Sequence, residues 1–200
     1  TCATLHTMAV NGYGTASPDT RLEHNFYTGR VEVDGKYVTL DDGTPLQYMP
    51  LAVEQNLTAS KYIETAGARM KKYEVDRTAY SDGRMPDNDI VLYRYADVLL
   101  MKAEAKVRNG EPGDEQLNAV RSRAGMPSLA ATLANILDER LLELVWEGWR
   151  RQDMIRFGTY CAPYDIHTPS AADKKRYTIV FPIPEKAREL NPNLAQNPGY

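Results

Sequence analysis

Apolar residues recur at helical spacing between residues 89 and about 158. Over 91–108 they fall at Ala96, Leu99, Leu100, Ala103 and Val107, one stripe at the helical period. Asp87, Asn88 and Asp89 offer N-cap oxygens ahead of it, and Gly110 and Pro112 mark its end. Asp114 caps a second helix with Leu117, Val120 and Ala124 on its inner face, closed by Gly125 and Pro127. Leu133, Ile136, Leu137, Leu141, Leu144 and Val145 line a third, from about Ser128 to about Trp149. A short fourth covers Arg151 to Phe157 and stops at Gly158. The first two are joined by only a few residues, so they must pack antiparallel. Small residues at Ala96, Ala103, Ala105 and Ala119 let their backbones approach.

Elsewhere the pattern breaks. Residues 1–88 are punctuated by glycine and proline, among them Gly12, Gly14, Pro18, Gly29, Gly43, Pro45, Pro50 and Gly67, which interrupts any long helix. One hairpin stands out near 31–39. Val31-Glu-Val33 alternates, Asp34-Gly35 supplies a tight turn, and Lys36-Tyr-Val-Thr39 alternates again. Residues 51–59 have the length of a short helix, and 68–75 read as a loosely periodic strand. The tail, 159–200, is irregular. Phe181-Pro-Ile-Pro184 lacks the donors of a central strand, and Asn191-Pro-Asn193 and Asn197-Pro-Gly199 are turns. The fold class that follows is mainly α. Tetratricopeptide-like antiparallel helix pairs occupy 89–200, after an irregular, loop-rich part at 1–88 that carries a small β-hairpin. One such pair cannot bury its own face, so it must stack on the third helix or on further sequence.

Composition narrows the chemistry. With 24 basic and 27 acidic residues among 200, the net charge is −3, which excludes a wholesale nucleic-acid surface. No apolar run approaches the ~18 residues of a spanning helix. Cys2 and Cys161 have no metal-type spacing; two lone thiols or one long-range disulfide both fit. Tyrosine is abundant, 13 against 3 phenylalanines. Its flat ring and polar tip suit wet interfaces and sugar faces, although packing at core edges accounts for it too.

The third helix carries a charged ridge. Glu139, Glu143 and Glu147 are four apart and share a face. Three readings compete: glycosidase acid–base work, a carboxylate metal site, or ion pairing with Arg94, Arg121, Arg123, Arg140 and Arg150. The metal reading lacks a neighbouring histidine, since His6, His24 and His167 lie in loop-like sequence. No HExxH, Walker A, GxGxxG or GxSxG element is present, so no cofactor is implied. Pairing with arginine is preferred because buried carboxylates need partners and the guanidinium forks are at hand. Asp153 and Arg156 belong to the same charge network, where they would lock the fourth helix onto the third. Trp146 and Trp149 read as interhelix packing before sugar platforms.

Five motifs in order carry a family resemblance. They are Tyr93-Arg-Tyr-Ala-Asp-Val-Leu-Leu-Met-Lys-Ala-Glu-Ala105, Leu117-Asn-Ala-Val-Arg-Ser-Arg-Ala-Gly125, Glu139-Arg140 through Glu147-Gly-Trp-Arg150 with Asp153-Met-Ile-Arg-Phe-Gly158, Phe181-Pro-Ile-Pro-Glu185, and Asn191 through Tyr200. Over some 110 residues they resemble the SusD/RagB family of outer-membrane nutrient-binding lipoproteins of Bacteroidetes-type bacteria. The resemblance implies a SusD-like helical fold with no catalytic residues. It implies capture of an oligosaccharide or other nutrient for polysaccharide utilization, and a SusC-like TonB-dependent transporter as partner. It places the full-length protein at the cell surface, in the outer membrane, through a lipid anchor absent from this chain. The chain opens on Thr1, so we expect a C-terminal portion, and Cys2 is not read as the anchor.

The matched motifs are scaffold motifs and transfer no sugar contacts. The residues themselves offer Tyr13, Tyr27, Tyr37, Tyr48 and Tyr62 as ligand-binding candidates, with Asn11, Asn25, Asp34 and Gln47 nearby, each with packing as its alternative. Two other readings stay open: a helical-repeat scaffold whose ligand is protein, and a glycoside hydrolase built on Glu139, Glu143 or Glu147.

Overall fold

The computed structural model describes residues 2–53, 64–73, 76, 88–165 and 167–200. Two compact units divide the chain, Thr1–Arg150 and Arg151–Tyr200.

The first unit begins with two short helices, α1 (Leu5–Val10) and α2 (Arg21–Asn25). Thr4 starts α1 by accepting from the Thr7 N–H at 3.1 Å. Six two-residue strands follow. They are β1 (Phe26–Tyr27), β2 (Gly29–Arg30), β3 (Glu32–Val33), β4 (Lys36–Tyr37), β5 (Gln47–Tyr48) and β6 (Arg69–Met70). They pair antiparallel as β1–β6, β2–β5 and β3–β4. The hairpin expected near 31–39 is β3–β4. Asp34 at φ 52 and Gly35 at φ 73 both occupy the left-handed region that its tight turn demands. Val31, Val38 and Leu46 knit the ribbon together: the Val38 N–H donates to Val31, Leu46 to Val38 and Val31 to Leu46. Of the strand expected over 68–75, only β6 forms; 74–75 lie outside the described residues, as do positions 54–59 of the expected short helix.

Three longer helices complete this unit: α3 (Tyr95–Arg108), α4 (Asp114–Arg123) and α5 (Leu133–Leu144). They pack on one another, and α1 packs on α5. Leu100 and Ala103, Leu117 and Val120, and Ile136, Leu141 and Leu142 form the core between them. Three boundaries differ from the sequence pattern. α5 starts at Leu133 rather than near Ser128, because the Thr132 hydroxyl caps it by accepting from the Asn135 N–H. α3 starts at Tyr95 rather than 91, because the extended residue before it, Arg94, is held by ion pairs rather than by local cap oxygens. α5 ends at Leu144 rather than near Trp149. Val145 leaves the helix at ψ 138, and Trp146 turns at φ 69 to donate its indole N–H to the Asn25 carbonyl. Trp146 thereby joins a second cluster built on Ala3, Met8, Phe26 and Ala68.

The close approach of α3 and α4 is also placed differently. Ala105 and Ala119 are exposed, and only Ala103 of the four small residues is buried. The critical position is Gly113, where an added Cβ would lie 2.7 Å from the Ala103 carbonyl oxygen. The inward face of α3 is Asp97, Leu100, Ala103 and Glu104, so its stripe is rotated toward polar positions.

The second unit contains α6 from its second residue (Arg150–Arg156), α7 (Ala171–Lys174), a 3-10 turn (Tyr177–Ile179) and α8 (Glu185–Leu190). The tail is therefore less irregular than its prolines imply. α7 is nucleated by a capping box in which Ser170 and Asp173 bond each other's backbone N–H. Asp173 also accepts from the Thr178 and Ser170 hydroxyls, and these bonds hold its carboxyl down to about 2. Phe181 lies over the Arg151 guanidinium, 4.3 Å from it, and Arg151 donates to the Thr178 carbonyl.

Candidate functional site

The charged ridge sits where α2, α3, α4 and α5 converge. Glu139 and Glu143 project from one face of α5; Glu147 lies past its end and is returned to the same place by the turn through Trp146. Every carboxylate oxygen of the three accepts a bond from a cation. Glu139 receives Arg21 at 2.6 Å and Arg121 at 2.7 Å. Glu143 receives Arg94 at 2.5 Å, Arg21 at 3.1 Å and Arg123 on both oxygens at 2.8 and 2.6 Å. Glu147 receives Arg94 Nε on both oxygens at 3.0 and 2.9 Å, and the Lys72 ammonium. Arg21 also grips Asp19 with Nε and Nη2.

The electrostatics follow from that saturation. Burial alone would raise the carboxyls of Glu143 and Glu147. Bonds from Arg94, with the charges of Arg123, Arg21 and Lys72, outweigh burial and hold both below the usual carboxylate range. Burial opposes the Arg21 and Arg94 charges too, yet their carboxylate partners hold both firmly cationic. Lys72 is the exception: desolvation prevails over Glu147, and its pKa falls. Such an arrangement fixes charge and keeps the Glu143 and Glu147 carboxyls from serving as proton donors at neutral pH. Among the described residues, no group of three or more His, Cys, Asp or Glu side chains is disposed to hold a metal.

Other charged positions are placed locally. Arg140 reaches Asp97 at 2.8 Å, both fully buried. Arg150 donates to the Leu137 carbonyl at 3.0 Å. Asp153 accepts from Arg156 at 2.8 Å inside the second unit. Four members of these contacts are not apparent from the sequence: Asp19, Arg21, Lys72 and Asp97. Asp97 left a trace, since it shares a helix face with Leu100 and Glu104. Arg21 and Lys72 left none, because their partners are 118 and 75 residues away.

The sequence model of the SusD family matches residues 6–200. The chain belongs to the SusD family. This confirms the motif-by-motif resemblance. The chain is 31% identical over 139 residues to the starch-binding protein SusD of Bacteroides thetaiotaomicron, covering 66% of this chain and 25% of that protein. It spans about a quarter of the length of the curated relatives it matches. Among solved structures, B. fragilis NanU superposes with a TM-score of 0.60 at 25% identity, covering 98% of this chain and 39% of the other. A SusD superfamily protein from Bacteroides vulgatus reaches 0.63 at 20% identity over 98% of this chain and 44% of the other, a likeness of fold alone.

In this SusD-family chain the tyrosine candidates do not form one set. Tyr13 packs on the Met8–Phe26 cluster. Tyr27, Tyr37 and Tyr48 lie along the ribbon, each with a cation near its ring: Lys71 at 5.8 Å, Arg30 at 4.9 Å and Arg69 at 5.5 Å. The ladder places Tyr27 opposite Arg69 and Tyr48 opposite Gly29. Tyr62 lies outside the described residues. Tyr27, Arg30, His24, Lys71 and Tyr73 line an open cleft of about 860 Å³ between α2 and the ribbon. Of the polar neighbours, Asn11 and Asn25 are buried, whereas Gln47 and Asp34 are exposed.

Proposed function

We propose that this chain is part of a non-catalytic glycan-binding protein of the bacterial cell surface, which passes its ligand to a TonB-dependent outer-membrane transporter. Membership of the SusD family carries the reading, with the starch-binding SusD as its relative. The cleft beside the ribbon is one part of this chain that meets sugar. Tyr27 offers a C–H stacking face, with Arg30 and His24 supplying polar contacts. In the full-length protein a lipid anchor holds it to the outer membrane; no helix among the described residues is long and apolar enough to cross one. The carboxylate ridge is structural, because each oxygen is already bonded to a cation, which disfavours the glycosidase reading.

Calorimetric titration of the intact protein with oligosaccharides tests this. Binding, weakened by Tyr27→Ala with the melting temperature retained, is the expected result. Absence of binding to every glycan tried would remove the reading. A second reading, contact with protein only, draws on the outer face of α3, where Tyr95, Val98 and Met101 are exposed. Co-purification with an outer-membrane barrel without any sugar affinity would favour it.

A further inference from the structure

A second groove, of about 680 Å³, opens between α2, α3 and α4, and its floor is the outer side of the ion-pair cluster. Among the described residues the cluster is not neutral. Asp19, Glu139, Glu143 and Glu147 supply four negative charges, and Arg21, Arg94, Arg121, Arg123 and Lys72 supply five positive ones. The surplus is directed outward. The side chains of Arg21 and Arg121 are 4% and 9% exposed, whereas that of Arg123 is 59% exposed. Arg123 bonds Glu143 through Nη2 alone, so Nε and Nη1, on opposite sides of the guanidinium, each keep N–H donors for a ligand. Glu143, only 2% exposed, anchors the fork from below. His24, Arg94 and Lys72 line the same groove.

The walls specify more than charge. Tyr73 and Tyr95, 42% and 75% exposed, stand at the groove, and Ala96 and Ala119 leave room beside them. A half-exposed guanidinium with Nε–H and Nη1–H donors left over takes an anion by charge-assisted hydrogen bonds, and aromatic rings take sugar C–H faces. The overall charge of −3 does not oppose this, because charges beyond about 8 Å are screened at physiological salt.

We propose that this groove binds an anionic sugar residue, its carboxylate or sulfate on Arg123 and its ring against Tyr95. The proposal rests on the glycan-binding reading and narrows its ligand to an acidic glycan. The test is calorimetric titration of the intact protein with an oligogalacturonate, a sulfated oligosaccharide and a neutral maltooligosaccharide. The expected result is that one of the acidic ligands binds about tenfold more tightly than the neutral one. Arg123→Gln then brings it down to the neutral affinity, and raising salt does the same. Which acidic arm binds tells carboxylate from sulfate. Equal affinity for neutral and acidic ligands, or a preference that survives Arg123→Gln, overturns the proposal while leaving glycan binding intact. Binding of none of the three overturns both. Should Arg123→Gln fail to fold, Tyr95→Ala carries the same test, with a several-fold loss for the acidic ligand expected and no loss overturning it.

Discussion

The helical core and the strand ribbon of the first unit hold their backbones in place by opposite means. The core unites α3, α4 and α5 around buried side chains and then ties in a distant segment through Arg21, whose partner Glu139 is 118 residues away. The ribbon has three pairs of two-residue strands; apart from Phe26, which is buried in the Met8 cluster, its aromatic side chains carry cations on tyrosine rings near the surface. The comparison separates two kinds of polar contact. Buried ion pairs are costly to disturb because their members cannot return to water, whereas exposed cation–ring contacts exchange readily with solvent. A rigid base beneath an adaptable surface is the division of labour that the proposed glycan binding would use.

Breaking the core should have the largest effect. Arg21→Met removes the shared donor of Asp19, Glu139 and Glu143 and leaves buried charge uncompensated. A loss of roughly 3–5 kcal/mol is expected in urea unfolding, enough to unfold a marginal domain. A loss below about 1 kcal/mol would show that the ridge is solvated and the contrast is false. Acid probes the same contacts without mutation. The carboxyls of Glu143 and Glu147 titrate in the folded state below the 4.5 of a free glutamate. Their stabilisation is therefore complete above about pH 4.5 and is lost as pH falls through the lower folded values. A melting temperature that declines only below that pH is the expected profile, and Glu143→Gln should flatten it.

The two regions also differ in how far they could be read from sequence. Helical spacing reveals that Glu139 and Glu143 share a face, because a single local period relates them. No local period relates Arg21 to Glu139 or Lys72 to Glu147, and those partners exist only once the chain has folded. The end of α5 is hidden for the same reason. Val145 continues the apolar stripe, but Trp146 is drawn away by the Asn25 carbonyl and Phe26. In the ribbon, Asp34-Gly35 specifies its hairpin outright, whereas two-residue strands such as β1 and β6 are too short for alternation to register. The cap of α7, Ser170 with Asp173, was written in the sequence but masked by the surrounding turn residues.

A backbone test sharpens the contrast at intermediate cost. At Gly113 a methyl group would overlap the Ala103 carbonyl and approach the Ala103 Cα at 3.2 Å. Gly113→Ala should push α4 from α3 and cost about 1–3 kcal/mol. At Gly14 an added Cβ meets nothing within 4 Å, and only its φ of 79 is strained, so Gly14→Ala should cost about 1 kcal/mol. Equal losses in the two variants would mean that the helices do not depend on close approach.

The smallest effect belongs to the ribbon. Arg30 lies 4.9 Å from the Tyr37 ring centroid, and that ring is 55% exposed, so the pair is worth about 0.5–1 kcal/mol. A double-mutant cycle with Arg30→Met and Tyr37→Ala isolates it, since both residues are exposed. Coupling in that range, with the core's unfolding unchanged, would mean that Tyr37 is held lightly enough to trade its cation for a sugar. Coupling of several kcal/mol would make the ribbon as rigid as the core. Tyr37 would then be a structural tyrosine with no part in sugar contact, which would rest on Tyr27 and Tyr73 of the cleft.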